Sequence, residues 1–172
     1  TSIANVDPDN SENLAAAIEE VINSYGARHA QDQVLVQPML QDVVANGVLF
    51  TRTLSHGAPY FVVNYDETPG CTDAVTAGTG NLNVLYVHHD ADKLPADAPD
   101  WAATLIAGGH ELVDLVGYDT LDMEFAVGAT GEVHMLQLRP IAVDHTQWVI
   151  DDALLRKELE QAAARFQALE TL

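Results

Sequence analysis

Asp122-Met123-Glu124-Phe125 and Leu136-Gln137-Leu138-Arg139-Pro140 read as the two arms of one hairpin. Gly128 and Thr130-Gly131 lie between them and can turn the chain back. A two-residue loop at Thr130-Gly131 would set Glu124 opposite Gln137 and Asp122 opposite Arg139. Strand side chains alternate between faces, so these four polar groups share one face. Met123, Phe125, Leu136 and Leu138 then point the other way. Two carboxylates, an amide oxygen and a guanidinium on one sheet face suit a hydrated magnesium ion and the phosphates it carries. The plainer reading is a cross-strand salt bridge beside a polar pair on a solvated sheet.

Working outward, the chain alternates helical and strand signals. Residues 10–25 carry Leu14, Ile18, Val21, Ile22 and Tyr25 at helical spacing, with Asp9 and Glu12 at capping-box spacing and Gly26 as a stop. Gln33 to Leu40 (QVLVQPML) reads as a buried strand ending at Pro38, followed by Val43-Val44. Asn46-Gly47 then leads into Val48-Leu49-Phe50-Thr51. Further strands are expected at Pro59 to Asn64 and Asn83 to His88, with a loop over residues 65–81 between them. Trp101 to Val116 reads as a helix with Leu105, Leu112 and Leu115 or Val116 inward. After the hairpin, Asp151 to about Leu169 forms a last helix with an acidic start that suits the helix dipole. It carries Leu154, Leu155, Leu159 and Phe166, and is expected to pack on the domain or on a partner. The order of elements predicts an α+β fold, mainly antiparallel sheet packed with helices.

Composition narrows the function. The 172 residues contain 26 acidic side chains against 7 Lys and Arg, a net charge of -19. That excludes a nucleic-acid surface, which needs clustered cations. A single cysteine, Cys71, excludes an internal disulfide and fits a cytoplasmic location. No apolar run approaches the ~18 residues of a transmembrane helix. Adjacent strand residues point to opposite faces, so His88-His89 reads as a solvated strand end and not as a chelating pair.

Three segments in order carry a family resemblance. Val34-Leu35-Val36-Gln37-Pro38-Met39, then Asn46-Gly47-Val48-Leu49-Phe50-Thr51-Arg52, then the Asp122 hairpin, resemble "VxVQxM", "GVLFTR" and "DIEW…LQxRP". These are motifs of the nucleotide-binding domain of phosphoenolpyruvate synthase and pyruvate phosphate dikinase. The resemblance covers roughly residues 12–143. It implies an ATP-grasp fold, in which ATP lies between two α+β lobes, with residues 1–172 as a single domain and the C-terminal part of that fold.

The resemblance also implies a chemistry: Mg²⁺-ATP phosphorylates a histidine of a separate domain, then pyruvate or another small acceptor. Under it Glu124 and Gln137 are expected to hold the metal, and Arg139 to contact phosphate. Asp122 would contact nucleotide or metal-bound water. Gln37 would border the adenine, and Asp73 and Val75 the adenosine, as in the family's "GEAVVSG". Residues 64–73 are longer and more acidic than the glycine-rich "NASWGLGE" of the family. Few cations precede the last helix, namely Arg28, Arg52, Lys93 and Arg139. The remaining phosphate-gripping charge is therefore expected on an N-terminal ATP-grasp lobe outside this chain, as is the phosphohistidine domain. The non-enzymatic alternative is a degenerate ATP-grasp lobe serving as a binding or interaction module. A third reading is a ligase-type enzyme that makes an acyl phosphate.

Overall fold

A computed structural model describes residues 2–27, 29–67, 83–141 and 151–170. Residues 1–41 form one compact unit and residues 42–172 another. The first unit holds helix α1 (Ser11–Ser24), whose N-cap is Asn10, one residue beyond the expected Asp9. Asn10 Oδ1 accepts from the Asn13 backbone N–H at 3.1 Å, satisfying one of the free N–H groups of the first turn. Gln33 to Leu40 corrects the sequence expectation: it forms no strand, and Leu35 is 80% exposed. Its β-branched, apolar composition favours extended chain. A strand also needs a ladder partner, and among the described residues this segment has none.

The second unit is α+β. Its strands are β1 (Val43–Phe50), β2 (Tyr60–Asp66), β3 (Asn83–His88), β4 (Leu121–Gly128) and β5 (Val133–Pro140). They form one antiparallel sheet in the order β3-β2-β1-β4-β5. Helix α2 (Ala102–Val116) joins β3 to β4, and α3 (Asp152–Glu170) follows the sheet. Among the described residues no helix is long and apolar enough to cross a membrane.

One sheet face makes the core. Leu49, Phe61, Val63, Leu85, Val87, Met123, Phe125 and Val127 are buried there with Ala102, Leu105 and Ile106 of α2. The inward stripe of α2 continues through Gly109, Leu112 and Val113. Leu115 and Val116 are exposed, which corrects the expectation that one of them points inward. Gly117, left-handed at φ 68°, ends the helix by donating its N–H to Val113 O at 2.9 Å.

Asn46-Gly47 is no turn, because β1 runs straight through it. Gly47 sits in the register between Phe125 and Tyr65. A Cβ there would lie 2.2 Å from Asn64 O and 2.8 Å from the Phe125 ring. The glycine lets that ring lie against the backbone, where Trp101 packs on both Phe125 and Tyr65 at ring-centroid distances of 5.4 and 5.0 Å.

Candidate functional site

On the opposite face of this sheet the side chains run in straight rows. Strand registers align Arg139, Asp122, Phe50, Val62 and Tyr86 in one row across all five strands. The adjacent row is Gln137, Glu124, Val48, Asn64 and Val84. The charged and amide ends of both rows lie on β4 and β5, and on β1 to β3 the rows are apolar except at Asn64. Four of the seven expected site residues (Asp122, Glu124, Gln137 and Arg139) therefore meet on one face. Gln37 belongs to the other unit, where it is exposed on chain without strand structure. Asp73 and Val75 lie outside the described residues.

The hairpin reaches this pairing by an unexpected route. Its loop is longer than Thr130-Gly131: Gly128 N–H donates to Glu132 O and Gly131 N–H to Gly128 O, each at 2.9 Å. Near the loop Val127 pairs with Val133 and Phe125 with Met135, one residue out of the expected register. A bulge between Phe125 and Glu124 then absorbs Leu136 and restores Glu124 opposite Gln137 and Asp122 opposite Arg139. The bulge also corrects the core assignment. Met135 takes the inward place beside Phe125, while Leu136 and Leu138 are partly exposed.

Arg139 Nε donates to Asp122 Oδ2 at 2.7 Å, and its Nη2 lies 3.9 Å from Glu124 Oε1. The Asp122 hydrogen bond and charge raise the Arg139 pKa further above its ordinary value. One guanidinium thus faces two carboxylates and leaves an excess negative charge. Asp122 is 8% exposed, and its Oδ1 is buried with no hydrogen-bond partner among the described residues. A buried carboxylate oxygen without a donor is costly, and a cation or a ligand donor would satisfy it. Among the described residues no three His, Cys, Asp or Glu side chains converge as a metal cage. The donor set fits a hard cation that takes one or two protein oxygens and completes its shell with water or phosphate oxygens, as magnesium does.

Beside the polar ends, a groove of about 510 Å³ is lined by Phe50, Leu54, Tyr60, Val62, Asn64 and Tyr86, among others. Sequence reasoning missed it. The available signal was that β1 to β3 are apolar on both faces where a solvated antiparallel strand would alternate. Ser55-His56-Gly57 lies in the turn after β1, with Gly57 left-handed at φ 64°.

Arg52 is committed elsewhere. Its guanidinium donates to Asp119 Oδ2 at 2.7 Å, to Asp152 Oδ2 at 3.1 Å and to Gly57 O at 2.7 Å. Burial acts to raise the Asp119 pKa, but hydrogen bonding to and the charge of Arg52 outweigh it and hold that carboxyl below its ordinary value. His88 and His89 are partly buried, which corrects the solvated reading. His89 Nε2 lies 2.6 Å from Thr51 O. A carbonyl only accepts, so Nε2 carries the proton. Burial lowers the His89 pKa, against that hydrogen bond and with help from Arg52, which favours the neutral ring.

Compared with protein-family models the chain matches none, and no curated protein matches it.

Proposed function

We propose that the open face of the 42–172 unit is the metal-facing half of a Mg²⁺-ATP site. The chain would then act within an ATP-dependent phosphotransferase similar to phosphoenolpyruvate synthase and pyruvate phosphate dikinase. The observation that carries this reading is the pair of rows on that face. Asp122, Glu124, Gln137 and Arg139 end in oxygen donors and one guanidinium, continuous with the apolar groove lined by Phe50, Val62 and Tyr86. At a strand spacing of about 4.8 Å, Asp122 and Val62 stand roughly 10 Å apart, a span suited to a ligand charged at one end and aromatic at the other.

In this role Glu124 and Gln137 hold magnesium, which neutralises developing phosphate charge and fixes the polyphosphate for in-line transfer. Asp122 orients Arg139, whose remaining N–H groups meet phosphate oxygens. Phe50, Val62 and Tyr86 exclude water beside the nucleoside. The acceptor is a histidine of a separate domain, then pyruvate or another small molecule. Further cations come from an ATP-grasp lobe outside this chain.

Titration with a fluorescent ATP analogue tests the reading. Binding that requires Mg²⁺, is abolished by EDTA and is weakened at least about tenfold by Glu124→Ala supports it. Nucleotide binding indifferent to Mg²⁺ and to Glu124 contradicts it.

One observation favours a second reading, a non-catalytic lobe. Arg139 and Arg52 are both already engaged by carboxylates, leaving little cationic charge for a triphosphate. Absence of any nucleotide binding is the outcome that supports this alternative.

A further inference from the structure

Helix α3 carries an apolar stripe along one side. Leu155, Leu159, Ala162 and Phe166 recur at alternating spacings of four and three, the pattern of a coiled-coil seam. Leu155 is partly buried, while Leu159 is 40% and Phe166 64% exposed. The start of the helix is fixed to the sheet unit by ion pairs from Arg52 to Asp152 and from Arg156 to Asp90. The stripe is therefore presented in a set direction, with Leu159, Ala162 and Phe166 exposed.

Charge indicates what covers it. Arg156, Lys157 and Arg165 are three of the seven cations of the chain, and all lie on α3. Against them stand four acids, Asp152, Glu158, Glu160 and Glu170, so the helix is close to neutral on a chain of net charge -19. The rest of the chain carries 22 acids against four Lys and Arg, so a second copy meets far less like charge at α3 than on the chain as a whole. Glu158 and Arg165 flank the stripe on the same side, seven residues apart. In an antiparallel pair of α3 helices, Glu158 of each copy falls beside Arg165 of the other. Leu155 then lies against Phe166, and Leu159 against Ala162, matching large side chains to small.

We infer that α3 is a self-association surface, through which two copies of this chain pair antiparallel. This inference is independent of the nucleotide reading, since none of these residues lies on the open sheet face.

Sedimentation velocity on the whole chain tests it. The expected result is a concentration-dependent monomer–dimer equilibrium, weakened at least about tenfold by Phe166→Ala. Glu158→Arg alone and Arg165→Glu alone each place like charges together twice and abolish the dimer. Mixing those two variants restores it as a heterodimer, because each like-charged contact becomes an opposite-charged one. All these positions are exposed, and circular dichroism checks that each variant keeps its fold. A monomer at every concentration overturns the inference. So does a dimer indifferent to the charge variants, or single variants whose mixture fails to pair.

Discussion

Asp122 and Arg139 face each other across β4 and β5 at 2.7 Å, yet only one of the two Asp122 carboxylate oxygens has a partner among the described residues. Arg139 supplies the only hydrogen bond described for a side chain that is almost wholly buried. Arg139→Ala is therefore expected to destabilise the fold by about 1–3 kcal/mol, nearer the lower figure because the arginine is half exposed and water screens it. Arg139→Lys, which keeps the charge, should lose less. Urea unfolding midpoints of the two variants check this ordering.

Gly47→Ala tests the packing beneath the site. The added methyl meets Asn64 O, a backbone atom that cannot rotate away, as well as the Phe125 ring. A loss of about 3 kcal/mol is expected. Combining it with Phe125→Leu relieves only the ring contact, so recovery should be partial. Full recovery would mean the backbone contact costs little.

The neutral His89 makes stability depend on pH. Its folded-state pKa lies below the ordinary value of 6.5. Above 6.5 neither state is protonated, and the contribution is fully present. As pH falls below that value the unfolded chain takes up a proton that the folded protein resists, so stability declines until the folded pKa is passed. His89→Gln should flatten the stability–pH curve in that window. Thermal melts at a series of pH values between about 7 and 5 read the difference.

Arg52 ties the end of β1 to Asp119 before β4 and to Asp152 at the start of α3. Arg52→Ala should raise amide exchange in the first turn of α3 well before it raises exchange in β1, since β1 keeps its ladders to β2 and β4 while the start of α3 is left with the Arg156–Asp90 pair. Equal acceleration in both would show that the arginine serves the sheet instead.

The pairing of the four hairpin residues was legible in the sequence, and the path to it was not. The pairs Glu124–Gln137 and Asp122–Arg139 follow from counting back from a short turn. Two deviations cancel, the longer loop and the bulge at Leu136. Alternation of side chains constrains the face, but a bulge leaves no reliable mark in composition, so Leu136 was expected in the place Met135 occupies. Asn46-Gly47 has the residues of a turn, and only the nearness of Phe125, remote in sequence, makes that glycine a strand residue. Gln33 to Leu40 shows the converse: local preference for extended chain does not make a strand without a neighbour to pair with. The apolar row through Phe50, Val62 and Tyr86 needed the registers of four strand pairs, which no local pattern supplies.

In the proposed function a divalent cation and its nucleotide meet the protein at Glu124 and Gln137. Manganese can stand in for magnesium, and its paramagnetism broadens nearby resonances even when binding is weak. In ¹H–¹⁵N spectra titrated with Mn²⁺-ATP, the Gln137 side-chain amide and the Asp122 and Glu124 backbone amides should broaden first. Glu124→Ala should remove that preference. Broadening spread evenly over the acidic surface, or unchanged by Glu124→Ala, would contradict the account.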